Sequence, residues 1–293
     1  MTHSHNKNWN AGNALKIGII VNIVYMTVEA FFGVLSNSTA LLADAGHNFS
    51  DVLALGFSWF AIRLSSRRPT LKYTYGLRRS TILVAMLNTL ILMSALLFIF
   101  WETVERLRNP LEINAKSVII VAAIGIIVNG FTAWLFARGE KQDLNIRSAF
   151  LHFLSDGLVS LGIVTGGIVI TLTGFYLIDA LVSFIIIAVI LVNCYHLLSD
   201  SVHLALDAVP DHINIEAIRN YLEAIPEVFD IHDLHIWALS TTDSAMTVHI
   251  KTKVQTDTGF VLAIQNHLRD QFQIEHTTIQ VEFGDLGPCN TNC

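Results

Sequence analysis

His47 and Asp51 stand four residues apart, and so do His152 and Asp156. On an α-helix that spacing puts both side chains on one face, with Cβ atoms about 5–6 Å apart. If the two helices lie side by side, two imidazoles and two carboxylates converge on one point. Two nitrogens and two oxygens suit a tetrahedral d¹⁰ ion, Zn2+ above all, whereas Mg2+ and Ca2+ ask for all-oxygen coordination. One such pair alone reads as an interhelical hydrogen bond. The same order and spacing twice, each time among small residues (Ala43, Ala45, Gly46; Ser155, Gly157, Ser160), favours metal binding. A second set of metal-competent side chains comes later in the chain: His232, His249 and Glu282, followed by Cys289-x-x-x-Cys293.

The elements that must position these residues follow from composition. The 293 residues are 53% hydrophobic and 14% charged, against about 25% charged in ordinary soluble domains. Six apolar runs, Leu15–Leu35, Thr39–Ile62, Ser80–Trp101, Ser117–Ala137, Ile146–Thr173 and Tyr176–Ser199, are each long enough to cross ~30 Å of hydrocarbon as a helix. Lipid requires every backbone group to be bonded within the segment, and the alternation of a β-barrel is missing. The polar start of the first run, without a small-residue cleavage site, argues against a removed signal peptide. The chemistry-bearing pairs fall in the second and fifth runs, where a mid-membrane carboxylate costs roughly 2.5–3.5 kcal/mol on insertion scales. Residues that expensive are expected to face a cavity. Asp44, one turn before His47, either orients the imidazole or reaches water near the membrane face. Asp179 opens the sixth run and reads as a helix cap, and Glu29, late in the first, is expected at the outer interface.

Basic residues set an expected orientation. Lys7, Lys16, Arg63, Arg67, Arg68, Lys72, Arg78, Arg79, Arg138, Lys141 and Arg147 fall on one side. Only Arg106, Arg108 and Lys116 fall on the other, diluted by Glu102, Glu105 and Glu112. Both termini are therefore expected in the cytoplasm. The expected organisation is a cytoplasmic tail over 1–14, a six-helix transmembrane domain over 15–200 and a cytoplasmic domain over 201–293.

The net charge of −6 divides unevenly. The first 200 residues carry 11 acidic and 14 basic side chains, a net of +3; the remainder carries 13 acidic and 4 basic, a net of −9. An acidic balance of this kind excludes a nucleic-acid partner. In the remainder, Ile218, Tyr221, Leu222 and Ile225 form one helical stripe, and Val261, Ile264 and Leu268 another. Strands are expected around Phe229–Leu239, Ala245–Val254 and Thr277–Phe283, giving the order αββαβ of an open-faced α/β sandwich. The alternation in Ala245–Val254 puts His249 on the polar face, and Val281 and Phe283 flank Glu282 in the same way. The cytoplasmic thiols Cys289 and Cys293 are expected to stay reduced. His3 and His5 either supply ligands or belong to an unstructured start. His196, His203, His212, His235, His267 and His276 read as surface or packed histidines, and Cys194 as a small hydrophobe in a span.

The stretches LLADAGHNFSDVLAL (Leu41–Leu55), AFLHFLSDG (Ala149–Gly157), YGLR (Tyr75–Arg78), DLHIW (Asp233–Trp237) and TTIQVE (Thr277–Glu282) resemble the cation diffusion facilitator family over nearly the whole chain. The paired His-x-x-x-Asp motifs resemble its zinc-transporting branch, of the bacterial cobalt–zinc–cadmium efflux type. The resemblance implies a six-span homodimer with a ferredoxin-like, metallochaperone-like cytoplasmic domain, which exchanges cytosolic Zn2+ for protons. It places the transport site at His47, Asp51, His152 and Asp156. It implies regulatory zinc at the cytoplasmic strand residues, sometimes completed by tail cysteines. A multi-pass protein of the bacterial inner membrane is implied, with Zn2+ as the transported and structural ion and no organic cofactor. Two features depart from the pattern. Ser80 stands where many relatives have Glu, and Arg138–Arg147 lacks a His-rich loop.

Proton coupling is expected from the ligands, because metal binds deprotonated imidazole and carboxylate. Export of Cd2+, Co2+ or Ni2+ by the same fold is the nearest alternative, since raw affinity separates these ions poorly. An intramembrane zinc-dependent hydrolase would need an open coordination position and a general base, commonly HExxH, and the chain has no HExxH. A ligand-gated channel or a metal sensor without transport is a further class, separated from a transporter by counterflow of protons. A secondary transporter rather than an enzyme is therefore expected.

Overall fold

Six long helices precede a small sheet-and-helix domain in the computed structural model, which describes residues 11–137 and 144–284. The helices are α1 (Ala11–Leu35), α2 (Thr39–Ser65), α3 (Ser80–Arg108), α4 (Ala115–Ala137), α5 (Leu144–Thr173) and α6 (Leu177–Ala205). None contains proline; Pro69, Pro110 and Pro210 lie just beyond the ends of α2, α3 and α6, where a missing amide breaks nothing. Leu41, Leu96, Ala122, Ile163 and Ile187 are buried in the centre of the bundle. Large apolar side chains such as Phe31, Phe98, Trp101, Ile127, Leu158 and Ile185 stand exposed around it, as lipid-facing surfaces require.

Among the described residues, five of these helices, all but α2, are long and apolar enough to cross a membrane. Six spans were expected; the remaining helix, α2, is the more polar one. The reason is visible in α2 itself, which spends Asp44, His47, Asn48, Ser50 and Asp51 on functional or packing contacts. The observed helices also outrun several expected ends. Thus α3 continues through Glu102 and Arg106, which form an i,i+4 ion pair at 2.8 Å, and α6 continues to Ala205.

The chain divides into two compact units, one of residues 1–56 and 88–196, the other of 57–87 and 197–293. The second unit contains α7 (Ile215–Glu223), β1 (Val228–Ala238), β2 (Ser244–Thr252), α8 (Thr258–Phe272) and β3 (His276–Phe283). This is the expected αββαβ order. The sheet runs β1-β2-β3, with β1 and β2 antiparallel and β2 and β3 parallel. A parallel pair needs a crossover, which α8 supplies. Asn214 and Asp257 cap α7 and α8 by accepting from the amides of Ala217 and Phe260, each at 3.0 Å. Ile218, Leu222, Met246, Ile250, Leu268 and Ile274 are almost fully buried between helices and sheet, each contributing about 1.5–3 kcal/mol of apolar burial.

Within this unit the loop joining α2 to α3 is tied to the C-terminal domain. Arg78 pairs with Asp243 at 3.2 Å, Arg79 with Asp207, the Thr241 amide donates to Thr81 at 3.0 Å, and Tyr75 meets His276 edge-on. Gly76, with φ of +73°, makes the turn in this loop that a side chain would strain. At the start of α3, Ser80 donates to the carbonyl of Ala61 at 3.3 Å, so the residue that departs from the family pattern serves here as a helix-start hydrogen bond.

Candidate metal centres

The two His-x-x-x-Asp pairs meet. His47 Nε2 lies 3.8 Å from Asp51 Oδ2 and 3.6 Å from Asp156 Oδ1; His152 Nε2 lies 3.2 Å from Asp51 Oδ2 and 3.6 Å from Asp156 Oδ2. Each imidazole therefore faces both carboxylates, and the rings are 5.9 Å apart. Four ligands at zinc bond lengths of about 2.0–2.1 Å stand about 3.3–3.4 Å from one another in a tetrahedron, within the range of these N–O distances. Among the described residues, His47, His152 and Asp156 offer ligand atoms all within 4.8 Å of one another. Asp51 Oδ2 and Asp156 Oδ2 are buried with no hydrogen-bond donor, so their lone pairs are available to a cation. A cavity of about 650 Å³ between α5 and α6 reaches this point, lined by His47, His152, Ser155, Asp156 and Asn193 with apolar neighbours.

Helix α2 is held in place by an acid from another helix. Asp179, in the first turn of α6, accepts from Ser38 Oγ (2.5 Å), the amides of Thr39 (2.7 Å) and Ala40 (3.2 Å), and Thr39 Oγ1 (3.1 Å). Ser38 in turn accepts from the Leu41 amide at 3.2 Å. The first amides of α2 are thereby all satisfied. Asp179 is a cap, as its position suggested, but of α2 rather than of its own helix; α6 could not show this from sequence because the acceptor and the amides are some 140 residues apart.

Glu29 also departs from expectation. It is fully buried rather than interfacial, accepting from Tyr25 Oη at 2.8 Å and Asn48 Nδ2 at 3.1 Å. The reason is that α1 packs this face inward, and Asn48 of α2 supplies a donor. Asp44, one turn before His47, is also fully buried; it accepts from Ser160 at 3.4 Å, while His47 Nδ1 has no hydrogen-bond partner.

The C-terminal domain assembles a second cluster. The β1–β2 register sets His232 opposite His249, with rings 5.0 Å apart. Glu282 Oε1 on β3 reaches His249 Nδ1 at 3.0 Å and His232 Nε2 at 3.5 Å, and the three residues form a group whose ligand atoms lie within 4.8 Å. A bulge between His232 and His235 puts Asp233 in the left-handed region (φ 55°) and turns its carboxylate toward His249 Nε2 at 3.7 Å and His235 Nε2 at 2.9 Å. The hydrogen bond from His235, helped by the charge of the surrounding imidazoles, holds Asp233 below the usual carboxylate range. Asp233 escaped sequence reasoning because strand alternation gives no warning of a bulge. His267 stacks on Tyr221 at 3.9 Å and Cys194 is buried. His3, His5, Cys289 and Cys293 lie outside the described residues.

Residues 15–204 match the family model of the cation efflux transmembrane domain, and residues 210–283 that of the cation efflux protein cytoplasmic domain. The chain belongs to the cation efflux family. This is the cation diffusion facilitator family that its motifs resemble. Among its relatives, the zinc transporter ZitB of Shigella flexneri is 36% identical over 99% of this chain and 92% of its own length. The cation efflux system protein CzcD of an Alcaligenes species is 33% identical over 98% of this chain and 90% of its own. A protein of Bacillus subtilis named a cadmium, cobalt and zinc/H(+)-K(+) antiporter is 34% identical over 96% and 92%. A solved structure titled "Metal-bound C-terminal domain of the CzcD transporter from Cuprividus metallidurans" is 32% identical, covers 24% of this chain and 99% of its own, and has a TM-score of 0.23. The cation efflux protein described above is thus a multi-pass membrane transporter of divalent metal cations, not an enzyme.

Proposed function

We propose that this cation efflux protein exports cytosolic Zn2+ in exchange for protons, with His47, Asp51, His152 and Asp156 as the transport site. The observation that carries the reading is the alternation of two imidazoles and two carboxylates, with N–O distances of 3.2–3.8 Å, beside a cavity of about 650 Å³. Zn2+ enters as the substrate and meets two anionic oxygens and two neutral nitrogens. Any proton on either imidazole must leave first, which makes metal and proton competitors for the same atoms. Opened to a more acidic compartment, the site takes protons and gives up metal; opened to the cytosol, the reverse. Exchange results as long as the site changes sides loaded.

In this reading α2 is the sixth span, its polar face shielded by its neighbours, and the chain divides into a cytoplasmic tail (1–14), a transmembrane domain (15–200) and a cytoplasmic domain (201–293). With the basic connections on the cytoplasmic side, both termini lie in the cytoplasm and the protein sits in a bacterial inner membrane. His232, His249 and Glu282 bind a regulatory zinc ion, with Cys289 and Cys293 as further ligands and Asp233 close by. That ion offsets part of the −9 charge of the domain and favours a homodimer.

Reconstitution in liposomes with an internal metal dye and an imposed pH gradient tests the transport reading. Zn2+ flux with opposing proton movement is expected, lost in His47→Ala and Asp156→Ala. Persistence of both in either variant would refute the site. A panel of Zn2+, Cd2+, Co2+ and Ni2+ in the same assay decides the ion, since the named relatives include one for cadmium and cobalt.

A further inference from the structure

We infer that the segment joining α2 to α3 binds anionic phospholipid headgroups, through Arg63, Arg67, Arg68 and Lys72 around the exposed Leu71. The inference rests on the reading of α2 as a membrane span, which brings its last turn to the bilayer surface. From residue 52 to 101 there is no acidic side chain, and the basic ones are Arg63, Arg67, Arg68, Lys72, Arg78 and Arg79. The acidic C-terminal domain takes up two of them, pairing Arg78 with Asp243 and Arg79 with Asp207. Among the described residues the other four form no ion pair. Uncompensated cations this close in the chain attract an anion from outside it.

Their setting selects a lipid over a soluble anion. Trp59, Phe60 and Ile62 stand exposed on the last turns of α2, and the Arg63 guanidinium lies over the Trp59 ring, 5.8 Å from its centroid. A ring beside a cation at a helix end is how side chains sit at headgroup level. Ser65 and Ser66 then donate to the carbonyls of Ile62 and Arg63 at 2.9 and 3.0 Å, closing the helix. The chain turns back at residues 70–73. There the Thr70 amide donates to the Tyr73 carbonyl at 3.0 Å, and the Tyr73 amide to Thr70 Oγ1 at 3.1 Å. That turn carries Leu71, which is wholly exposed, and Lys72, whose ammonium lies 5.6 Å from the Tyr73 ring centroid. A leucine at the tip of a cationic turn fits the acyl boundary beneath a row of phosphates. A soluble phosphate would meet the same cations and leave Leu71 in water.

The site gives transport a dependence on lipid charge. One end of the segment continues the helix that carries His47 and Asp51, and the other ends in the arginines that pair with Asp207 and Asp243. Headgroups held by Arg67, Arg68 and Lys72 fix the stretch between these two attachments.

The full-length protein in detergent, titrated by calorimetry with short-chain phosphatidylglycerol, phosphatidylcholine and inorganic phosphate, provides the test. Phosphatidylglycerol is expected to bind about tenfold more tightly than phosphatidylcholine, with an affinity that falls as salt rises. Arg67→Gln/Arg68→Gln/Lys72→Gln is expected to weaken it roughly fivefold per charge, about 100-fold in all. Leu71→Ser is expected to weaken lipid binding and leave phosphate binding alone. In liposomes, Zn2+ flux should rise as phosphatidylglycerol replaces phosphatidylcholine. The part of that rise due to surface charge alone persists in the triple variant, and the rest should be lost. Equal phosphatidylglycerol binding by the parent and the folded triple variant overturns the inference. So does phosphate binding in the parent as tight as lipid binding, which would make this a plain anion site. Cross-linking of Leu71→Cys between two copies in phosphatidylglycerol liposomes also overturns it, because a second copy would then cover the tip. The span reading is checked separately at Phe49, exposed along α2. Protection of Phe49→Cys from a water-soluble thiol reagent is expected, and rapid labelling there would overturn that reading and the inference with it.

Discussion

Replacing Asp179 with alanine should loosen α2, the helix that carries half of the proposed transport site. The carboxylate is buried and receives two backbone amides and two hydroxyls from the start of α2. Thr39 Oγ1 retains Ser183 at 2.7 Å and the Leu41 amide retains Ser38, so the principal loss falls on the amides of Thr39 and Ala40. A buried donor without a partner costs about 1–3 kcal/mol, and a lost cap typically about 1 kcal/mol. Removing the carboxylate also removes its own burial cost, so the net should be about 3 kcal/mol. At roughly 2–4 °C per kcal/mol, the midpoint of thermal unfolding in detergent should fall by about 6–12 °C. Asp179→Asn keeps one acceptor oxygen and should lose about half as much. His47 lies two turns along α2, about 12 Å from Thr39, so weaker Zn2+ binding should accompany the loss even though Asp179 is not a ligand. An alanine variant that melts within about 2 °C of the parent would refute the reasoning, since it would mean that water replaces the carboxylate at no cost.

Two further outcomes follow from the same geometry. The His232→Ala/His249→Ala variant should lose the Zn2+-dependent rise in melting temperature contributed by the C-terminal domain, because it removes two of the three clustered ligands. Gly125→Ala should destabilise by about 1–3 kcal/mol despite the better helix propensity of alanine, measured by thermal unfolding, because the methyl group meets Tyr25 and Ser160.

Particular residues show how much was legible in advance. His47, Asp51, His152 and Asp156 could be read because helical periodicity fixes which residues share a face, and because charge within lipid-length segments is conspicuous. His249 and Glu282 could be read because strand alternation fixes the face of a sheet. Asp179 and Glu29 were visible as acids in apolar runs, yet their tasks were not, since Thr39 and Asn48 reach them only through packing. Asp233 needed a bulge, which is a departure from periodicity rather than an instance of it.

The sequence by itself therefore determined the material and the faces: a lipid-compatible helical part, an acidic αββαβ part, and two matched pairs of nitrogen and oxygen donors. Those properties depend on local periodicity and on solvent preference, which a linear chain carries in full. Only the tertiary structure decided which faces meet. It closed the two pairs into alternating contacts of 3.2–3.8 Å, set Asp179 on the amides of α2, and gave the buried Glu29 a donor in Asn48. Each of these joins residues on different helices, and a buried polar atom is satisfied by whichever neighbour packing delivers, whatever its distance along the chain.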